Sequence, residues 1–124
     1  MLTVDANVIL RYMLNDHPMM SEAVRERLAR ESFLIKPEVL AEVIYVLGKV
    51  YKLSKEEVAN SISELLNTAN VYMEFEDIVR CAVKTYKSYS LDFVDCMLYA
   101  YETVNREKIF TFDKSLLKIL GKLK

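Results

Sequence analysis

Two periods of apolar patterning alternate along this chain. Short, almost continuously apolar runs predict buried strands at residues 1–5, 32–36, 70–75 and 108–112. Between them, apolar positions recur every three or four residues. That spacing predicts helices over 7–14, 17–31, 37–51, 54–67, 76–89, 91–105 and 114–120. Start signals support several of these. Pro18 and Pro37 stand where a helix begins, and Ser54 with Glu57 forms the S-x-x-E pattern of a capping box. The periodicity points Ala23, Val24 and Leu28 inward from one helix, and Val39, Val43, Val46, Leu47 and Val50 from the next. In the helix over 91–105 it selects Val94, Leu98 and Tyr101.

Strands and helices that alternate imply crossover connections and a mostly parallel sheet with helices on both faces, an α/β class. The 124 residues suit one domain, and no internal repeat, low-complexity tract or linker interrupts them. The chain is 52% hydrophobic and 28% charged, which marks a globular sequence rather than a disordered one. Two Gly and two Pro leave little room for an all-β design.

A net charge of −1 gives no global field for nucleic acid, so any such binding falls to a local patch. Cys81 and Cys96 lack metal-ligand spacing, and His17 is the lone histidine, which argues against zinc. Both cysteines fit helical core positions in a reduced compartment. No apolar run approaches the roughly 18 residues of a membrane span, and no signal-like segment is visible. A cytoplasmic protein without a membrane partner is the expectation.

The acids carry the chemical signal. In open parallel sheets, ligands gather outside the carboxyl ends of the strands, near the point where strand order reverses. Asp5 closes the first predicted strand and Asp113 the fourth. Glu42 lies one turn into the helix after the second strand, and Asp95 near the start of the helix over 91–105. Asp92 shares a face with Asp95 at i,i+3, as Glu38 does with Glu42 at i,i+4. Carboxylates converging on one cleft repel, each pair at about 4 Å by about 4 kcal/mol at an effective dielectric of about 20. They are relieved by protons or by a divalent cation, and a set of oxygen ligands suits Mg²⁺ or Mn²⁺. The plainer reading is that an Asp at a helix start caps it or meets its dipole. Asp92 and Glu38 read first in that way.

"VDANVILRYML" resembles the opening motif of PIN-domain nucleases. "PEVLAEVIYVL" is similar to their second motif, "LDFVDCMLYAY" to their third and "IFTFDKSL" to their fourth, in family order and over nearly the whole chain. The size is that of the VapC-type toxins of toxin–antitoxin pairs. The resemblance implies a single PIN domain over 1–124, a Rossmann-like three-layer sandwich with a central sheet of four or five strands. Asn7 stands where the family more often has Thr or Ser, and Leu116 stands near the place of the aromatic residue that usually follows the last motif.

The same resemblance implies an endoribonuclease dependent on Mg²⁺ or Mn²⁺. Asp5, Glu42, Asp95 and Asp113 would be its catalytic acids, with Asp5, Asp95 and Asp113 on the metal. Asn7, Thr111 and Asp92 would hold those groups by hydrogen bonds. An acid pocket repels the RNA backbone, so cations must flank it. Arg11, Lys114 and Lys118 are the candidates, although Lys114, Lys118 and Lys122 also read as a solvated helix face. His17 reads as a solvated loop residue, and the tyrosines as core or interface. A homodimer and a cognate antitoxin are the partners the family implies. Met13, Met19 and Met20 suit either a core or a surface that accepts a partner helix. The alternatives are a catalytically weak PIN-fold binding module, a housekeeping RNA-processing nuclease, and a phosphate-cradling Rossmann-like protein. The intact acid quartet opposes the first, and the absence of a glycine-rich phosphate loop opposes the last.

Overall fold

A computed structural model describes residues 1–122. It divides the chain into two compact units, Met1–Glu74 and a second that begins at Phe75.

The first unit holds β1 (Leu2–Thr3), α1 (Ala6–Leu14), α2 (Pro18–Leu28), β2 (Phe33–Ile35), α3 (Pro37–Lys49), α4 (Lys55–Leu66) and β3 (Val71–Met73). The strands are parallel in the order β1-β2-β3. Leu2 sits opposite Phe33, and Ile35 opposite Met73. The central strand β2 buries Phe33 and Ile35, each side chain contributing about 1.5–3 kcal/mol of apolar burial. All three strands are shorter than their apolar runs because the flanking residues are spent on starting helices. The Asp5 carbonyl already accepts from the Ile9 N–H, and the Lys36 carbonyl from those of Val39 and Leu40. The predicted capping box forms at α4, with the Ser54 hydroxyl accepting from the Glu57 N–H and the Glu57 carboxylate from the Ser54 N–H.

The second unit contains α5 (Glu76–Ser88), α6 (Phe93–Asn105) and α7 (Lys114–Ile119). Helices α5 and α6 pack together, with the Tyr86 and Phe93 rings edge to face at 6.2 Å.

Several expectations are corrected here. The strand predicted at 108–112 does not form, so the described sheet has three strands rather than four or five. Its order also runs without the reversal expected of a switch point. At 108–112 side chains replace a neighbouring strand. The Ile109 N–H donates to the Glu102 carboxylate, and the Lys122 ammonium donates to the Ile109 carbonyl. Phe110 and Phe112 are 86% and 88% exposed, and their rings meet only edge to face at 5.2 Å. Three helix faces differ in part from the predicted ones, although Leu28, Val43 and Leu47 are buried as expected. In α3 the buried residues are Leu40, Val43, Ile44 and Leu47, while Val50 is exposed. In α6 they are Phe93, Cys96, Met97 and Ala100, with Val94 exposed. In α2 only Ser21 and Leu28 are buried, and Ala23 is exposed. These helices carry apolar residues on two overlapping stripes, and periodicity alone does not choose between them.

Candidate active site

Parallel pairing brings the carboxyl ends of β1, β2 and β3 to one rim of the first unit's sheet. Asp5 follows β1 by two residues, while Lys36 directly follows β2 and Glu74 directly follows β3. Asp5 is exposed and is the N-cap of α1, its Oδ1 accepting from the Val8 N–H at 3.0 Å. Its carboxylate therefore escapes the desolvation cost that the apolar run suggests, and a second oxygen remains for other work. Glu42 is exposed on α3, and its carboxylate makes no hydrogen bond or ion pair among the described residues. Lys36 and Glu74 pair at 2.8 Å. The Glu74 carboxylate holds the Lys36 ammonium above its usual range, by the hydrogen bond first and by charge second.

Asn7 is exposed on the first turn of α1, with no side-chain hydrogen bond among the described residues. Arg11 is already committed. Its guanidinium pairs with Asp16 at 2.9 Å, Asp16 also accepts from the Tyr51 hydroxyl at 2.9 Å, and the Arg11 Nε is buried without a partner. His17 is exposed and caps α2 through Nδ1, which accepts from the Met20 N–H.

In the second unit Asp92 is the N-cap of α6, its Oδ1 accepting from the Asp95 N–H at 2.9 Å. Asp113 is the N-cap of α7, its Oδ1 accepting from the Leu116 N–H at 2.8 Å. The Asp113 N–H in turn donates to Thr111 Oγ1 at 3.0 Å, so the threonine fixes the backbone from which Asp113 projects. Burial pushes the Asp95 carboxyl above the usual carboxylate range, and the negative charges of Asp92 and then Asp113 push it further. Within the unit, Asp92 and Asp113 thus each act on Asp95. Among the described residues, no three His, Cys, Asp or Glu side chains close into a group that could hold a metal ion. The donors of Asp92, Asp95 and Asp113 are oxygens, the type a hard divalent cation takes, but as placed here they do not close around one.

Lys114 and Lys118 are exposed on α7, and their ammonium groups have no hydrogen-bond or ion-pair partner among the described residues. Lys122 does not continue their stripe, because it pairs with Glu102 at 2.5 Å. The Lys36–Glu74 pair was missed from sequence. Its signal was a charged residue directly after each of two predicted strands. Tyr89, read from sequence with the other tyrosines as core or interface, is half-exposed and lines a cleft of the second unit with Ser90 and Ser115.

The PIN domain family model matches residues 2–122, and the chain belongs to that family. It is also similar to a VapC ribonuclease from Aquifex aeolicus (strain VF5), at 26% identity over 101 residues. The match covers 78% of this chain and 75% of the relative. No solved structure matches the chain. No helix among the described residues is long and apolar enough to cross a membrane.

Proposed function

We propose that this protein is a divalent-cation-dependent endoribonuclease and the toxin of a type II toxin–antitoxin pair. The observation that carries the reading is Asp95 in the first turn of α6, acted on by the charges of Asp92 and of Asp113 at the start of α7, in a chain that belongs to the PIN-domain family. The similarity to a VapC ribonuclease supports RNA as the substrate and an antitoxin as the partner. Asp5, Glu42, Asp95 and Asp113 supply the carboxylates of the reaction. Of these, Asp5, Asp95 and Asp113 are the residues that would hold Mg²⁺ or Mn²⁺ on the family pattern. When bound, the ion supplies a lowered pKa for its water and cover for the charge on the leaving oxygen. Thr111 keeps Asp113 in place through its N–H, and Asp92 anchors the turn that carries Asp95. The protein works in the cytoplasm as a homodimer.

The test uses Asp5→Asn. Asn is as good an N-cap as Asp, so the variant keeps the start of α1 and loses only the charge. Cleavage of single-stranded RNA in Mg²⁺ should fall by about 100-fold or more, with an unchanged far-UV spectrum. Full activity in the variant refutes the assignment.

A further inference from the structure

We propose that the cleft between the α5–α6 turn and α7 seats one nucleotide of a single-stranded RNA, with Tyr89 stacking on the base and Lys118 meeting the phosphate. The inference rests on the nuclease reading and adds to it a subsite with its own residues. The cleft is about 420 Å³ and is lined by Tyr89, Ser90, Leu91, Ser115, Lys118 and Ile119. Such a volume lies in the range of small-ligand sites, which run from about 300 to 1,000 Å³.

Its place along the chain ties it to the acids. Ser90 precedes Asp92 by two residues and Ser115 follows Asp113 by two, so both walls run directly into the acidic group. A polyanion approaching Asp92 and Asp113 needs a cation beside it, and the Lys118 ammonium is exposed with no partner among the described residues. Among the described residues, no acid lines the cleft itself. The cavity among α1, α3 and α4 differs in this respect. It is lined by both Arg25 and Glu64, and Arg25 already pairs with Glu22 and bonds Asn15.

The remaining lining matches a nucleotide group by group. Tyr89 is 51% exposed, and its ring meets no other ring among the described residues. Its backbone is fixed, because its N–H donates to the Thr85 carbonyl at 3.0 Å. A half-exposed ring on an anchored backbone is a stacking surface that any base can use. Leu91 gives the cleft an apolar floor, and the exposed hydroxyls of Ser90 and Ser115 can donate to phosphate or ribose oxygens.

The experiment measures anisotropy of a fluorescein-labelled single-stranded RNA oligonucleotide with the full chain carrying Asp95→Asn, so that the probe is not cut. In that background Tyr89→Ala should weaken binding by about 5- to 150-fold, and Tyr89→Phe should keep the parent affinity. Lys118→Gln should weaken binding and reduce the slope of log affinity against log salt by about 0.7, the loss of one phosphate contact. Both side chains are exposed, and matched melting midpoints confirm that the variants are folded. If the parent binds and both Tyr89→Ala and Lys118→Gln bind equally well, the subsite is overturned while the nuclease reading stands. If the unsubstituted chain neither cuts nor binds single-stranded RNA, both fall.

Discussion

Two stretches of this chain read alike and fold differently. Thr3-Val4-Asp5 and Thr111-Phe112-Asp113 each end an apolar run with a threonine two residues before an aspartate, and each aspartate caps the helix that follows. At the first, Thr3 is paired with Leu34 in a sheet. At the second, the Thr111 hydroxyl takes the Asp113 N–H, and the preceding backbone is held by Glu102 and Lys122. Local sequence specifies the cap in both cases, since a short acceptor before a helical run is enough. Strand pairing needs a partner from elsewhere in the chain, and β1 finds one in β2.

The sharpest way to break this comparison is to truncate one aromatic from each side of it. Phe33 is 2% exposed on β2, the strand that receives β1. Phe33→Ala should cost about 3–5 kcal/mol in urea unfolding. Phe112→Ala should stay within about 0.5 kcal/mol of the parent, because its ring is exposed. A cost at Phe112 as large as that at Phe33 means that 108–112 is a buried strand after all.

The two caps can then be separated from the two charges. Asp5→Ala and Asp113→Ala should each lose about 1 kcal/mol of stability, and the Asn variants only a few tenths. Activity should be lost in all four, because Asn restores the cap without the carboxylate. Activity retained in an Asn variant would reduce that aspartate to a cap.

A smaller effect distinguishes crowded from isolated acids. Asp95 is held above its usual range, so between its unfolded and folded values the folded chain binds more protons than the unfolded chain. Stability from this group therefore falls as pH rises through that interval. Without divalent ions, Asp95→Asn should melt above the parent at pH 7, and the gap should close below the ordinary carboxylate range. Mn²⁺ should raise the parent more than the variant, since an ion bound only to the folded state stabilises it. Equal melting at both pH values would remove the case that Asp92 and Asp113 crowd Asp95.

How much of this was legible in advance follows the range of the interaction. The starts of α2, α3 and α4 were readable from Pro18, Pro37 and the Ser54–Glu57 box, each a matter of a few residues. Asp92 beside Asp95 was readable from i,i+3 spacing, and the bond between them has that span. The influence of Asp113 on Asp95 crosses 18 positions and rests on how α7 meets α6, which no local pattern encodes. The Lys36–Glu74 pair spans 38 positions and was missed for the same reason. The inward face of α6 was missed for another. Val94, Leu98 and Tyr101 form as good an apolar stripe as Phe93, Met97 and Ala100, so only packing decides.

The smallest predicted effect tests what holds 108–112 in place of a sheet. Glu102 is kept below the usual carboxylate range, first by the Lys122 ammonium and then by the Ile109 N–H. A depressed carboxylate contributes stability above its unfolded value and loses it as pH falls through its folded value. Glu102→Gln should therefore be slightly less stable than the parent at pH 7, and should match it once the parent's Glu102 is protonated. Both partners are partly exposed, so the difference should also shrink in high salt. The local readout is hydrogen exchange at the Ile109 amide, which should quicken in the variant at pH 7. Unchanged exchange there would mean that some other contact, such as a neighbouring strand, secures this stretch, and the contrast with β1 would disappear.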